Sequence, residues 1–347
     1  MRSLSIFCIS LLTLCLTSCG KEQIFQSQSY IFGTLVDITI VDLPETRARE
    51  LANHVMQDFQ GLHNRLHAWQ DSDLSRLNAG FAQGGKVTIS AELMQIISDV
   101  TVLSQQSDGL FNPAIGGLIK AWGFQRSEFT AIQPNPENIR ALVKENPQMT
   151  DIIVKDNQAY STNPAVQLDL GGYAKGYALD IAAKYLRGQG VKNALINIGG
   201  NIIALGQHGD NAWRVGIQDP RGSGALAIVD LADGWAIGTS GDYQRYFELN
   251  GQRYCHIIHP YTGNPAQDTQ AVTVLIPPQH NAGTLSDVLS KPIFLSPANQ
   301  RMKYVKKFNL ENVMIIDSQH HIFITKALAK RLTWLDGNQE KHVQLLN

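Results

Sequence analysis

The chain has 347 residues, with 29 Lys plus Arg against 30 Asp plus Glu. So even a balance supplies no long-range field for a polyanion and argues against nucleic acid as a partner. Four cysteines are too few to staple a chain of this length, which can bury a core large enough to do without them.

Residues 1–18 read as a targeting segment. Arg2 gives a positive start, and Leu4 to Leu16 is an apolar stretch of leader length, too short to span a bilayer comfortably. It ends in Leu16-Thr17-Ser18-Cys19-Gly20. Small residues before a cysteine look like a lipobox, where cleavage leaves Cys19 as a lipid-modified first residue. An ordinary signal peptide with a chance cysteine is the alternative. The lipid reading places the protein in the cell envelope, anchored to a membrane and facing the periplasm; which membrane stays open. Cys8 and Cys15 leave with the leader, so Cys255 has no intramolecular disulfide partner.

Residues 19–29 read as a lipidated polar tether, and residues 30–347 as one folded domain. Tyr30 to Val41 alternates as a strand, with Gly33-Thr34 inside it. Arg47 to Leu66, Ala91 to Gln106 and Pro136 to Glu145 have helical character. Strands are expected at 151–154, 165–170, 193–198, 201–205, 212–218, 225–231 and 271–276. Helices interrupt them at 174–187, 283–291 and 297–307, with Pro292 expected to stop the second. Val313 to Ile316 is expected to pair with His321 to Thr325. This is neither a βαβ alternation nor an all-β pattern. It predicts an α+β fold, with helices packed on a largely antiparallel sheet.

Three glycine-punctuated segments lie close together: Leu195 to Asn201, Thr239-Ser240-Gly241-Asp242-Tyr243, and His256-Ile257-Ile258-His259-Pro260-Tyr261-Thr262-Gly263. Each puts small or hydrogen-bonding residues where backbone can approach a ligand. Leu168-Asp169-Leu170-Gly171-Gly172-Tyr173-Ala174-Lys175 runs from an expected strand through a diglycine into a helix. Such a junction can offer N–H groups to an anion, and Lys175 adds charge. Its glycine spacing is not that of a P-loop, and a tight turn with a surface lysine is the other reading. Trp69 follows His67 and precedes Ser72-Asp73, which suit the cap of a short turn. Asp108-Gly109-Leu110-Phe111-Asn112-Pro113 reads by itself as a loop between helices.

Taken together and in this order, these segments resemble the ApbE family, the FAD:protein FMN transferases, over roughly residues 30 to 325. The resemblance implies flavin contacts at Phe32, Trp69, Leu110, Phe111, Asn112, Asp169, Lys175 and Ile258. It implies His256 as the catalytic residue, a base of near-neutral proton affinity. It implies Mg²⁺ held by the Gly172 carbonyl and Asp287, FAD as substrate, and an exported or membrane-bound flavoprotein as acceptor.

Three positions depart from the family pattern. Asn112 and His259 stand where aspartates are usual, and Lys291 stands where the metal-site threonine is usual. An ammonium has donors and no lone pair, so it cannot ligate a metal. Thr284, one turn before Asp287, is the candidate replacement hydroxyl, although a threonine there also suits a helix cap. Three outcomes stay open on sequence alone. The metal is held more weakly, Lys291 itself neutralises the pyrophosphate, or the chain binds or hydrolyses FAD without transferring FMN.

Overall fold

The computed structural model describes residues 23–126, 128, 130–335 and 343–346. The leader and Cys19 lie outside the described residues. A nine-stranded sheet runs in the order Ile24–Ile31, Thr34–Val41, Asn193–Ile198, Asn201–Leu205, Ala236–Gly241, Thr269–Ile276, Asn312–Asp317, Ile322–Ile324, Val343–Leu345. Every pairing is antiparallel except the last. The expected α+β class with a largely antiparallel sheet is what the chain forms.

The two faces of the sheet are covered differently. Helices Glu45–Arg65, Ala174–Gly188 and Ala282–Leu295 pack on one face around the larger core. A three-stranded sheet of Trp213–Gln218, Ala225–Leu231 and Leu332–Trp334 contributes to the second core on the other. The central strand Thr269–Ile276 is therefore buried throughout. Val272, Val274 and Ile276 join the helical core, whereas Ala271 and Leu275 join the other. Period-2 alternation places an apolar side chain on both faces, which explains the near-continuous apolar run.

Several local readings are corrected. Ile24–Ile31 is a strand, not part of a tether, and Tyr30 to Val41 is two strands joined by a two-residue turn. Phe32 (φ 57°) and Gly33 (φ 71°) both take the left-handed conformation that a tight hairpin requires. Residues 165–170 form no sheet strand. Gln167 makes an isolated bridge to Ile115, and the Asn78 side chain clamps both the N–H (2.7 Å) and the C=O (2.9 Å) of Leu168. Backbone of residues 113–116 pairs with Gln167 and Asp169, and the Asn78 amide satisfies Leu168 between them. Ser72 caps a full helix, Asp73–Ala82, through a reciprocal pair of bonds with Ser75.

Helix Ala282–Leu295 runs through Pro292 instead of stopping there. Interior proline costs about 3 kcal/mol. Continuing the helix buries Ile293, Phe294 and Leu295, each side chain contributing about 1.5–3 kcal/mol. Burial outweighs the missing hydrogen bond.

Candidate active site

The diglycine segment, the start of the Ala174 helix and the middle of the Ala282 helix meet at one place. Their approach is set by glycine. A Cβ on Gly176 would lie 2.7 Å from Thr284 Cα and 2.8 Å from Asp287 Cβ. On the sheet side, a Cβ on Gly238 would lie 2.6 Å from the Ser286 carbonyl carbon. Backbone can come this close only where no side chain intervenes. The Ala282 helix is therefore seated against both neighbours, with Asp287 buried and Lys291 half-buried beside it.

Asp180, one turn along the Ala174 helix, fixes the other end of this contact. Its carboxylate accepts from the Gly283 N–H (2.7 Å), the Thr284 N–H (2.8 Å) and the Thr284 hydroxyl (2.7 Å). Two otherwise orphaned N–H groups at a helix start, and the hydroxyl beside them, are satisfied by a side chain from another helix. Burial pushes Asp180 up from 3.8 to about 6, although these bonds pull the other way. The folded state thus holds this proton where the unfolded state has lost it. Stability falls as pH rises from 3.8 to about 6, by about 3 kcal/mol from this group. Thermal melts of wild type and Asp180→Asn across that window should show a difference in midpoint that changes with pH. A constant difference would contradict the assignment.

Asp287 is satisfied within the chain. Its Oδ1 accepts from Lys291 Nζ at 2.7 Å, its backbone carbonyl accepts from the same ammonium at 2.5 Å, and its Oδ2 accepts from the Gly176 N–H at 3.1 Å. Burial pushes its carboxyl up, but the Lys291 and Lys175 charges and these hydrogen bonds outweigh it and hold it below its usual range. The expected Mg²⁺ site of Gly172, Asp287 and Thr284 does not fit this arrangement. The Thr284 hydroxyl donates to Asp180, and Lys291 Nζ lies 3.6 Å from where a Cβ on Gly172 would be. Mg²⁺ needs near-octahedral oxygen coordination. A cation here would also face the ammonium, and like unit charges at about 4 Å repel by on the order of 4 kcal/mol at an effective dielectric near 20. Among the described residues, no group of three or more His, Cys, Asp or Glu side chains is disposed to hold a metal.

His256 follows the strand Gln252–Cys255 directly. Its backbone N–H donates to the Arg245 carbonyl at 3.0 Å, and its Nδ1 lies 3.2 Å from the same oxygen. A carbonyl only accepts, so Nδ1 carries the proton and Nε2 keeps its lone pair. Burial lowers the His256 proton affinity well below the usual value, and the Arg245, Lys175 and Lys291 charges lower it further. Lys175 is itself driven below its usual range by burial, against the pull of Asp287. Arg245, half-buried, donates to the Phe124 carbonyl at 2.9 Å and feels the charge of Asp169. A neutral imidazole thus sits among cations, with Asp169 and Asp287 at the margins.

Beside this polar centre runs a row of rings. Phe32 lies 5.6 Å from His63, His63 lies 5.1 Å from His67, and His67 lies 4.5 Å from Trp69, all steeply inclined to one another. Trp69, at the end of the row, is 39% exposed. The charge of Asp169 acts on His67, which ties the row to the cationic centre.

The chain is similar to known proteins in both sequence and fold. Residues 32–315 match the model of the ApbE family. The chain belongs to the ApbE family. An FAD:protein FMN transferase of Rhodobacter capsulatus is 35% identical over 308 residues, covering 89% of this chain and 58% of that protein. This chain therefore spans little more than half of that relative. An FAD:protein FMN transferase of Treponema pallidum is 30% identical, covering 92% of each. The crystal structure of the ApbE protein from Thermotoga maritima superposes with a TM-score of 0.80 at 27% identity, covering 89% of this chain and 99% of that one.

Within this ApbE chain the expected residues separate into two groups. Asp169, Gly172, Lys175, His256 and Asp287 belong to the polar centre, and Phe32 and Trp69 to the row of rings. Leu110, Phe111, Asn112 and Ile258 have buried side chains instead. The Asn112 amide donates to the Pro147 carbonyl (2.8 Å) and accepts from the Ala114 N–H (3.0 Å), so its side chain braces a loop. Ile258 belongs to a small core with Trp122 and Phe124. His259 braces a turn, because its Nδ1 accepts from the Tyr261 N–H at 3.2 Å. An aspartate oxygen can do the same, so this departure leaves the turn intact. Cys255 is a buried free thiol whose proton affinity burial pushes up to about 12.

The expected nest of N–H groups at the diglycine is largely consumed. Gly171 donates to Asp169, Tyr173 and Ala174 donate to Leu170, and Gly176 donates to Asp287. Arg245, His63 and His67 were not singled out by sequence. The His63 and His67 pair, four apart at a helix end, carried a legible signal; Arg245 carried none in its local spacing.

Proposed function

We propose that this ApbE chain is an FAD:protein FMN transferase that moves FMN from FAD to a threonine of a flavoprotein acceptor. The observation that carries the reading is the placement of His256, its Nδ1 3.2 Å from the Arg245 carbonyl, among the charges of Lys175, Arg245 and Lys291. A diphosphate is drawn to those cations, and a nearby hydroxyl meets a base. The aromatic row from Phe32 to Trp69 suits an isoalloxazine ring.

In the reaction, the acceptor threonine oxygen forms a bond to the FMN-side phosphorus. The bond from that phosphorus to the bridging oxygen breaks, and AMP leaves with that oxygen. The threonine proton passes to His256 Nε2. Lys175, Arg245 and Lys291 offset the charge that builds on the phosphoryl oxygens. No step is assigned to Mg²⁺, because the oxygen set does not suit it. The leader points to an exported or membrane-bound acceptor.

The test incubates purified protein with FAD, with and without a candidate acceptor flavoprotein. Covalent flavin fluorescence on the acceptor, with one AMP released per flavin attached, supports transfer. AMP released equally without acceptor would make the chain an FAD pyrophosphatase. FAD bound with no AMP released would make it a flavin carrier.

A further inference from the structure

We propose that Lys291 is the resident cation of this site, and that the chain binds the diphosphate of its flavin substrate without a divalent metal. The inference rests on the flavin reading above and concerns how the phosphates are held.

Placement is the first observation. The Lys291 ammonium lies against Asp287 Oδ1 (2.7 Å) and the Asp287 carbonyl (2.5 Å), and its side chain crosses the face of Gly172. Its side chain thus occupies space beside both Gly172 and Asp287, the two residues expected to supply the metal's ligands. The other oxygens nearby already have hydrogen-bond partners within the chain. Asp287 Oδ2 accepts from Gly176, the Thr284 hydroxyl is bound to Asp180, and Ser290 Oγ lies between the Asp287 carbonyl (3.0 Å) and Ser240 Oγ (2.8 Å). A metal at Asp287 would have to displace the Lys291 ammonium from Oδ1.

Charge is the second observation. Lys175, Arg245 and Lys291 all act on His256, while Asp169 and Asp287 supply the opposing charge. The centre is therefore cationic before any ion arrives. Lys291 has three N–H donors, and two are accounted for by Asp287. The third is available to a phosphate oxygen. Asp287 thus holds an ammonium in place instead of a metal ion. Asp180 and the glycine contacts that seat the Ala282 helix keep that ammonium in register.

The test measures FAD affinity by flavin fluorescence in excess EDTA and in excess MgCl₂, and Mg²⁺ binding to FAD-free protein by calorimetry. Wild type should bind FAD with the same Kd in both buffers, to within about twofold, and should give no Mg²⁺ isotherm. Lys291→Thr should lose about tenfold or more in FAD affinity in EDTA, while Lys291→Arg should keep metal-independent binding. Melting midpoints identify any variant that is simply unfolded, and the wild-type comparison needs no variant. A wild-type Kd that rises more than about tenfold in EDTA overturns the inference. So does Mg²⁺ binding to wild type that is tighter than to Lys291→Thr. If FAD fails to bind in either buffer, the flavin reading falls, and the Mg²⁺ calorimetry still decides whether Lys291 excludes a metal.

Discussion

His256→Ala is expected to lower the rate of FMN transfer by about 10²–10⁴-fold while changing FAD affinity by less than about threefold. The imidazole is buried, and its Nδ1 proton is committed to the Arg245 carbonyl. Its remaining chemistry is the Nε2 lone pair. Removing it takes away the base and leaves Lys175, Arg245 and Lys291 to hold the phosphates. The direction of its proton affinity gives a second readout. Burial and three neighbouring cations keep the folded-state value well below 6.5. The base therefore stays unprotonated as pH falls through 6.5, where a solvent-exposed histidine would be half protonated. The acid limb of the wild-type rate profile should lie clearly below that pH. Single-turnover rates across pH measure this. Transfer by His256→Ala at the wild-type rate would remove His256 from the mechanism.

Gly176→Ala is expected to destabilise the protein by about 3 kcal/mol and to lower its melting midpoint by about 5 °C or more. The added methyl would meet the Gly283 carbonyl, Thr284 Cα and Asp287 Cβ. Two of these are backbone, which cannot rotate aside as a side-chain tip can. The Ala282 helix must move, and it carries Asp287 and Lys291 with it. FAD affinity should fall in the same variant. Gly188→Ala is the control. It lies at the end of the same Ala174 helix, and a Cβ there meets nothing within 4 Å. It should be neutral or stabilising by up to about 1 kcal/mol. Equal melting midpoints for the two variants would mean that the contact between the helices yields more easily than its geometry implies.

Much of the fold was legible because periodicity is local. The helices Ala91–Gln106 and Pro136–Glu145 and the strands Asn193–Ile198 and Asn201–Leu205 are where the sequence pattern places them. Each is bounded by a side-chain cap, a proline or a glycine turn, and those signals act within a few residues. The family was legible for a related reason: its motifs lie in order along the chain. The errors fell where long-range contacts override local preference. Pro292 did not end its helix because the next turn is buried in the core. Residues 165–170 resemble a strand, yet residues 113–116 pair with one edge and the Asn78 side chain, 90 residues away, clamps Leu168.

The site divides in the same way. Sequence by itself determined which residue types are present: a histidine after an aromatic strand, a lysine after a diglycine, and a lysine where a hydroxyl is usual. Only the tertiary structure decided their roles. Asp180 and Thr284 are 104 residues apart, and only their contact shows that the Thr284 hydroxyl donates to Asp180. Gly176 and Asp287 are 111 apart, and the bond between them completes the enclosure of that carboxylate. Lys291 and Asp287 are one helical turn apart, so their pairing could be anticipated from spacing. That the pair lies across Gly172 could not. A residue's chemistry is written in its side chain, but its proton affinity and its partners depend on which distant groups share its low-dielectric surroundings.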